Sequence, residues 1–252
     1  MNIRPFFMSL VIALGLGTAH AELTKVLLPV AVTQEVPGAF GSRWVTRMRV
    51  RNNGSQTITV TPSPAGCGIT VCPHDVAPNS TITPTVALAY PYPGAFLYIT
   101  QGANTSINVR IQDLSRQSLT WGTEIPVVHE ADVFTDTLTL INIPTDDRFR
   151  SALRIYDFDG ASDNAVQLRV YADDDTTPAA EAQLVLSTPS GIHDSLIPGF
   201  AQIGSLLDAY PQLRSASTVR VEVAPLSSGT RIWAFVSVTN NETQHVTTIT
   251  PQ

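Results

Sequence analysis

Lysine is almost absent from this chain, in which Lys25 is the only one among 252 residues. Basic side chains are few in total, since 15 Lys and Arg stand against 21 Asp and Glu and leave a net charge of -6 at pH 7. Proteins that bind nucleic acids carry a basic excess that neutralises phosphates. The composition therefore predicts that nucleic acid is not a partner of this protein.

Long hydrophobic runs are missing except at the N-terminus. There, Arg4 is followed by an apolar stretch at residues 5–17 and by the small residues Ala19 and Ala21. The stretch is shorter than the ~20 residues that a membrane-spanning helix needs, whereas this order of features is typical of a secretory signal peptide. We therefore expect residues 1–21 to be removed, the protein to be secreted (extracellular, periplasmic or at the cell surface), and no part of it to insert into a membrane.

Cysteine is also scarce, because only Cys67 and Cys72 are present. They lie five positions apart in CGITVC, downstream of the export signal, and an exported pair in an oxidising compartment is expected to be bonded. A metal site would need two further ligands, and only His74 lies nearby. We therefore predict a disulfide that closes a short local loop.

The motifs of familiar hydrolases are missing as well, since the chain has no HExxH and no GxSxG. His193, Asp194 and Ser195 are adjacent in sequence, but catalytic triads are assembled from separated segments. Glu124 and Glu130 are the two glutamates close to an apolar strand, and glycosidases need two carboxylates that flank a cleft. We expect a protein that is not an enzyme, with a small secreted glycan hydrolase as the alternative.

What the sequence does contain is short alternating segments rich in Thr, Val and Ala, joined by turn residues, and this predicts an all-β fold. The clearest case is residues 230–251, which alternate around Asn240 and Asn241. A two-residue turn at these asparagines predicts a β-hairpin with Val236 opposite His245. Such a hairpin is typical of a sandwich strand pair with one face in the core.

Length and charge predict two domains. Without the signal peptide 231 residues remain, which suits two sandwiches of roughly 100 residues each. Residues 22–120 contain seven basic and four acidic side chains, net +3, and residues 121–252 contain seven and seventeen, net -10. Residues 95–111 also resemble residues 234–249, which suggests an internal duplication. We therefore predict two tandem antiparallel β-sandwiches, Ig-like or jelly-roll-like, at residues 22–120 and 121–252.

One short helix is expected in the second domain. Its predicted apolar face recurs at helical spacing between a Pro-Gly pair and a later proline, and consists of Ile203, Leu206, Leu207 and Tyr210. This spacing predicts about two and a half turns that cap one end of the sandwich.

Four arginines share one face of a predicted strand at residues 43–51, opposite the face of the apolar residues: Arg43, Arg47, Arg49 and Arg51. Arg47, Arg49 and Arg51 follow one another at two-residue spacing, ~6.8 Å apart, and like charges so close repel unless an anion faces them. The face is either solvated, or contacts the acidic second half, or binds an external polyanion such as an acidic polysaccharide, which guanidinium groups suit.

Aspartates are bunched in the turns of the second half. Their oxygen atoms, some at D-x-D-G spacing, favour a hard cation, although Asp and Gly also favour ordinary solvated turns. Calcium is the one cofactor hypothesis that the sequence supports, at two groups of aspartates: Asp157, Asp159 and Asp163, and Asp173, Asp174 and Asp175.

Four segments, PGAFGSRWVT, WGTEIPVV, LRIYDFDG and WAFVSVTNNETQHVTTITP, together resemble a loose group of secreted bacterial tandem β-sandwich proteins of unassigned function. The resemblance implies export and a β-sandwich fold, and supplies no catalytic residues. Secreted sandwiches commonly serve as adhesive or carbohydrate-binding modules. We therefore expect a secreted binding, adhesion or structural surface protein, with an extracellular glycan or a surface protein as its partner and an open oligomeric state.

Overall fold

The computed structural model describes most of the chain after the predicted signal peptide, namely residues 23–32, 34–63, 73–84, 94–116, 121–188 and 196–252. Nearly all of its regular structure is β-strand, and the strands form four antiparallel sheets. The all-β sandwich prediction is therefore confirmed. The predicted signal peptide and both cysteines, Cys67 and Cys72, lie outside the described residues, so the disulfide stays a prediction.

The first half of the molecule contains ten strands: β1 (Leu23–Leu28), β2 (Val36–Pro37), β3 (Arg43–Asn52), β4 (Ile58–Ser63), β5 (His74–Val76), β6 (Thr81–Ile82), β7 (Ala95–Thr100), β8 (Thr105–Asp113), β9 (Thr123–Ile125) and β10 (Val128–His129). Sheet I has the order β10-β1-β7-β4-β5, and sheet II has the order β2-β3-β8-β9 with β6 also beside β3. Apolar side chains from the facing sides of these sheets form one core, in which Val26, Val60 and Val50 are fully buried. Strands β9 and β10 follow residue 120, so the pairing of these two sheets continues to residue 129.

The second half contains eight strands and the described α-helix: β11 (Leu138–Pro144), β12 (Phe149–Asp157), β13 (Asn164–Ala172), β14 (Ala180–Leu186), β15 (Gly199–Ile203), α1 (Leu206–Ala209), β16 (Thr218–Pro225), β17 (Ile232–Asn240) and β18 (Val246–Ile249). Sheet III has the order β15-β12-β17-β18, and sheet IV has the order β11-β16-β13-β14. A second core lies between them and includes Leu153, Leu168 and Val236. No helix in the described ranges is both long and apolar enough to cross a membrane.

The two halves share one topology. In chain order, β1 and β3–β9 correspond to β11–β18, so that β1-β7-β4-β5 of sheet I matches sheet IV, and β6-β3-β8-β9 of sheet II matches sheet III. The register of β3 on β8 also matches that of β12 on β17, because Trp44 pairs with Asp113 in sheet II as Phe149 pairs with Asn240 in sheet III. The fold is therefore two copies of one sandwich unit, in which β3 corresponds to β12.

The predicted hairpin of residues 230–251 is present as β17 and β18, but its predicted register is wrong. Val236 pairs with Ile249 and not with His245. The connection is longer than two residues because the Asn240 Oδ1 accepts two backbone N–H bonds of 2.9 Å, and the Gln244 N–H donates to the Asn240 carbonyl at 2.8 Å. The shift of four positions keeps the same side chains facing the core, since strand residues alternate with a period of two.

The predicted helix is shorter than its spacing suggested. Helix α1 spans Leu206–Ala209, and Ser205 caps its N-terminus with a hydroxyl that accepts the Asp208 N–H at 3.2 Å. Ile203 instead ends β15, and Pro211 begins a 3-10 turn. The apolar spacing correctly predicted a surface that packs on the core. It did not show that Ile203 ends a strand instead of lying in the first turn of the helix.

The halves are joined through the outer face of sheet III. One end of that face carries aromatic side chains that are buried in the core of the first half: Tyr156, Phe158, Trp233 and Phe235. Phe96 meets Phe158 edge to face with ring centroids 5.8 Å apart, and the Tyr156 hydroxyl donates to the Pro29 carbonyl. Lys25 donates to the Phe158 carbonyl at 2.6 Å over the Phe96 ring, where burial lowers the pKa of the amine although Asp159 opposes this. The two cores therefore form one packed body.

Candidate functional site

The alternation in β3 places the four predicted arginines in solvent. Arg43, Arg47, Arg49 and Arg51 are all exposed, whereas Met48, Val50 and Asn52 on the opposite side are buried. The inner side faces sheet I and therefore needs apolar groups, or, for Asn52, hydrogen bonds that satisfy its amide. We name the outer surface of sheet II around these side chains the arginine face.

A fifth arginine belongs to the arginine face. Arg110 on β8 lies directly opposite Arg47, and Asn108 lies opposite Arg49. The sequence alone does not place Arg110 on this face, because nothing in β8 itself indicates which strand it pairs with. Its position follows only from the pairing register, which depends on the connections before and after the strand.

The arginines at the rim of this face have partners within the first half. Arg43 forms an ion pair of 3.1 Å with Glu35, and Arg51 donates to Asn53 at 3.0 Å. Within the described part of the chain, Arg47 and Arg49 make no ion pair or hydrogen bond, and the two ion pairs of the face, Arg43–Glu35 and Arg110–Glu124, do not reach sheet III or sheet IV. The centre of the face therefore presents two cations to solvent.

An exposed aromatic side chain stands beside the arginine face. Trp121, at the start of the segment that leads into β9, is 76% exposed. Its carbonyl accepts hydrogen bonds from Arg110 Nε at 3.4 Å and Gln112 Nε2 at 3.1 Å, and Arg110 also reaches Glu124 at 3.5 Å. These bonds fix the tryptophan backbone at the edge of the face, next to its basic centre.

The first predicted calcium group serves as a turn at the end of β12. Asp157 is buried and accepts bonds from the Asp159 N–H at 2.8 Å, from Asn164 Nδ2 at 2.8 Å and from Ser162 at 3.3 Å. Burial raises the pKa of this carboxyl, although the hydrogen bonds oppose the shift. Asp159 itself pairs with Arg231, and Asp163 has a left-handed φ of 56°.

The second predicted calcium group caps a strand. Asp173 accepts the N–H groups of Ser217 at 2.9 Å and Thr218 at 3.0 Å, while Asp174 and Asp175 are exposed. Among the residues that the structure describes, no three His, Cys, Asp or Glu side chains are grouped so that they could hold a metal ion. Calcium binding stays a prediction, and three of the six carboxylates, those of Asp157, Asp159 and Asp173, already have structural partners.

The two glutamates of the hydrolase alternative have separate partners. Glu124 pairs with Arg110 of sheet II, and Glu130 pairs with Arg231 of the second half. Both are exposed, and neither lines a described cavity. Their surroundings give no specific support to that alternative.

Comparison with known proteins finds no match to this chain among protein families, curated proteins or solved structures.

Proposed function

We propose that this protein is a secreted, non-catalytic binding protein whose arginine face binds acidic polysaccharides. The proposal rests on the exposed arginines Arg47 and Arg49 with the half-buried Arg110 beside them, on the net charge of +3 in residues 22–120, and on the adjacent Trp121. Guanidinium groups form paired hydrogen bonds with carboxylates and sulfates. An exposed indole offers a flat apolar surface against which the C–H side of a sugar ring packs.

The observation that carries this proposal is the contrast between equivalent faces of the two halves. In sheet III the outer positions Tyr156 and Trp233 pair with each other and are buried against the first half. The same two positions in sheet II are Arg51 and Ser106, which also pair with each other and lie in solvent. Apolar side chains are found where this face is covered and arginines where it is open, which is the pattern expected of a surface kept for a charged partner.

The test is binding of the protein to immobilised polygalacturonate, with neutral dextran as the uncharged matrix. The double variant Arg47→Ser/Arg49→Ser should be retained about tenfold more weakly at low salt, because two charge contacts are lost. The decline of its binding with rising salt should also be flatter than that of the parent, since fewer ionic contacts remain to be screened.

The matched control is Arg148→Ser/Arg169→Ser, which removes the same charge from exposed positions of the second half. Control and parent should bind the matrix alike. Equal retention of the parent on polygalacturonate and dextran, or an undiminished affinity of the Arg47/Arg49 variant, would refute the proposal.

A further inference from the structure

A groove of about 280 Å³ lies between the two halves, apart from the arginine face. Its floor is the end of sheet III's outer face that is remote from the buried aromatic cluster, with the small side chains of Ala152, Ser237 and Thr239. Its opposite wall comes from the first half and includes Trp44 and Ile125. The halves touch where sheet III presents large aromatic rings and separate where it presents small side chains, which leaves the groove open.

Trp44 is held in place at this groove. Its Nε1 donates to the Ser42 hydroxyl at 2.9 Å, and that hydroxyl donates to the Ala39 carbonyl at 2.7 Å. Gly38 packs so closely that a Cβ there would lie 2.3 Å from Trp44 Nε1. The indole is therefore fixed before any ligand arrives, which lowers the entropy lost on binding.

Two arginines on β12 face the groove without a carboxylate partner. Arg150 makes no hydrogen bond or ion pair among the described residues, and Arg154 donates only to Gln202 Oε1, at 3.2 Å. Both are half-buried. The described lining of the groove contains no Asp or Glu.

The arginines elsewhere in the second half behave differently. Each of the other five forms an ion pair with a carboxylate of that half: Arg148, Arg169, Arg214, Arg220 and Arg231. Residues 121–252 have a net charge of -10, so acidic partners are abundant. Partly burying a cation without an anion costs free energy, and at Arg150 and Arg154 an anion from solution would remove that cost.

We infer that this groove binds a small organic carboxylate with an apolar body. The carboxylate would lie between Arg150 and Arg154, and the body would pack on Trp44 and the aliphatic wall. A volume of 280 Å³ is close to the lower end, about 300 Å³, of typical small-molecule sites. The groove therefore suits a ligand with one aromatic ring or a short aliphatic chain, and not a polysaccharide.

The test is calorimetric titration of the full-length protein with 3-phenylpropionate and hexanoate. The neutral analogue 3-phenylpropan-1-ol has the same ring and should bind at least about tenfold more weakly, because it lacks the charge that the arginines bind. This comparison uses the parent protein and does not depend on the folding of a variant.

Variants then locate the site. Arg150→Gln and Arg154→Gln should each weaken binding of 3-phenylpropionate about tenfold, whereas Arg148→Gln, two positions away and paired with Asp146, should not. Arg47→Ser/Arg49→Ser should also leave this binding unchanged, which separates the groove from the arginine face.

Three outcomes would overturn the inference. The first is that neither acid gives saturable binding up to about 10 mM. The second is that the acid and the alcohol bind equally. The third is that removal of either arginine leaves the affinity of the acid unchanged.

Discussion

The equivalent strands β8 and β17 end in the same kind of turn, which is built on an aspartate in the first half and on an asparagine in the second. Asp113 at the end of β8 accepts the N–H of Ser115 at 2.9 Å, as Asn240 at the end of β17 accepts the N–H of Glu242 at 2.9 Å. Asp113 has additional partners, Arg43 N–H at 3.0 Å and Arg116 Nη1 at 2.8 Å. Burial opposes ionisation of Asp113, but the hydrogen bonds outweigh burial and hold its pKa below the ordinary value.

The variant Asp113→Asn should keep the turn and lose the charge-dependent stability. The pKa of Asp113 is lower in the folded state than in the unfolded state. The ionised carboxyl therefore stabilises the fold in full above the unfolded pKa of 3.8, and this stabilisation is lost as the pH falls through the folded pKa. At pH 7 the variant should be less stable by about 1–3 kcal/mol. Urea unfolding at several pH values measures the difference, which should shrink below about pH 4.

The control for this prediction is Asp174→Asn, which removes a carboxylate from an exposed turn. Its stability should follow that of the parent at every pH. A gap between the parent and Asp113→Asn that stays constant from pH 7 to pH 3 would show that the carboxylate charge does not contribute.

At the scale of elements, the loop before β3 positions the groove wall. Gly38 leaves no space for a side chain, because a Cβ would lie 2.3 Å from Ser42 Oγ and from Trp44 Nε1. Gly38→Ala should therefore displace the indole and lower the free energy of unfolding by about 1–3 kcal/mol. Gly204→Ala is the matched control, since the nearest atom to its Cβ would be 3.9 Å away.

Both glycine variants are compared by thermal unfolding and by titration with 3-phenylpropionate. We expect Gly38→Ala to unfold at a lower temperature than the parent and to bind 3-phenylpropionate more weakly. Gly204→Ala should match the parent in stability. Equal stability of the two variants would mean that the loop adapts and that Trp44 is not held by it.

The sequence predicted which face of a single strand is buried better than it predicted which residues pair across strands. The parity of β3 was correct for every arginine because a ten-residue strand with one core face has only one stable alternation. The hairpin register was wrong because the Asn240 side chain builds a longer turn than the dipeptide alone suggests. The likeness of residues 95–111 to residues 234–249 does not extend to strand pairing, since β17 pairs with β18 whereas β7 and β8 lie in different sheets.

The groove could not have been predicted from the sequence. Arg150 and Arg154 alternate along β12 like solvent-facing residues of any strand, and only the packing of the first half over sheet III brings Trp44 opposite them. That packing depends on Tyr156, Trp233 and Phe235, which lie in the core of the first half although they belong to the second.

At the scale of the whole molecule, the continuous core predicts cooperative unfolding. The hydrophobic cluster of the first half includes Tyr156, Phe158, Trp233 and Phe235 of the second half, so separation of the halves would expose these rings to water. We expect one calorimetric transition whose van't Hoff and calorimetric enthalpies agree. Two resolved transitions would instead show that the halves unfold independently.

A single contact tests this coupling. Tyr156→Phe removes the buried hydroxyl that donates to the Pro29 carbonyl across the two halves. Leaving that carbonyl without its partner should cost about 1–3 kcal/mol. The whole transition should shift to lower temperature while remaining single, whereas a shift confined to part of the unfolding curve would argue against a shared core.

The three tryptophans occupy three different surroundings in this arrangement. Trp121 is 76% exposed beside the arginine face, Trp44 lines the groove, and Trp233 is only 4% exposed between the halves. Their intrinsic fluorescence therefore differs in colour and in access to a quencher such as acrylamide, with Trp121 emitting furthest to the red and being quenched first. Variants that retain one tryptophan at a time would give the surface, the groove and the junction each its own optical reporter, without any added label.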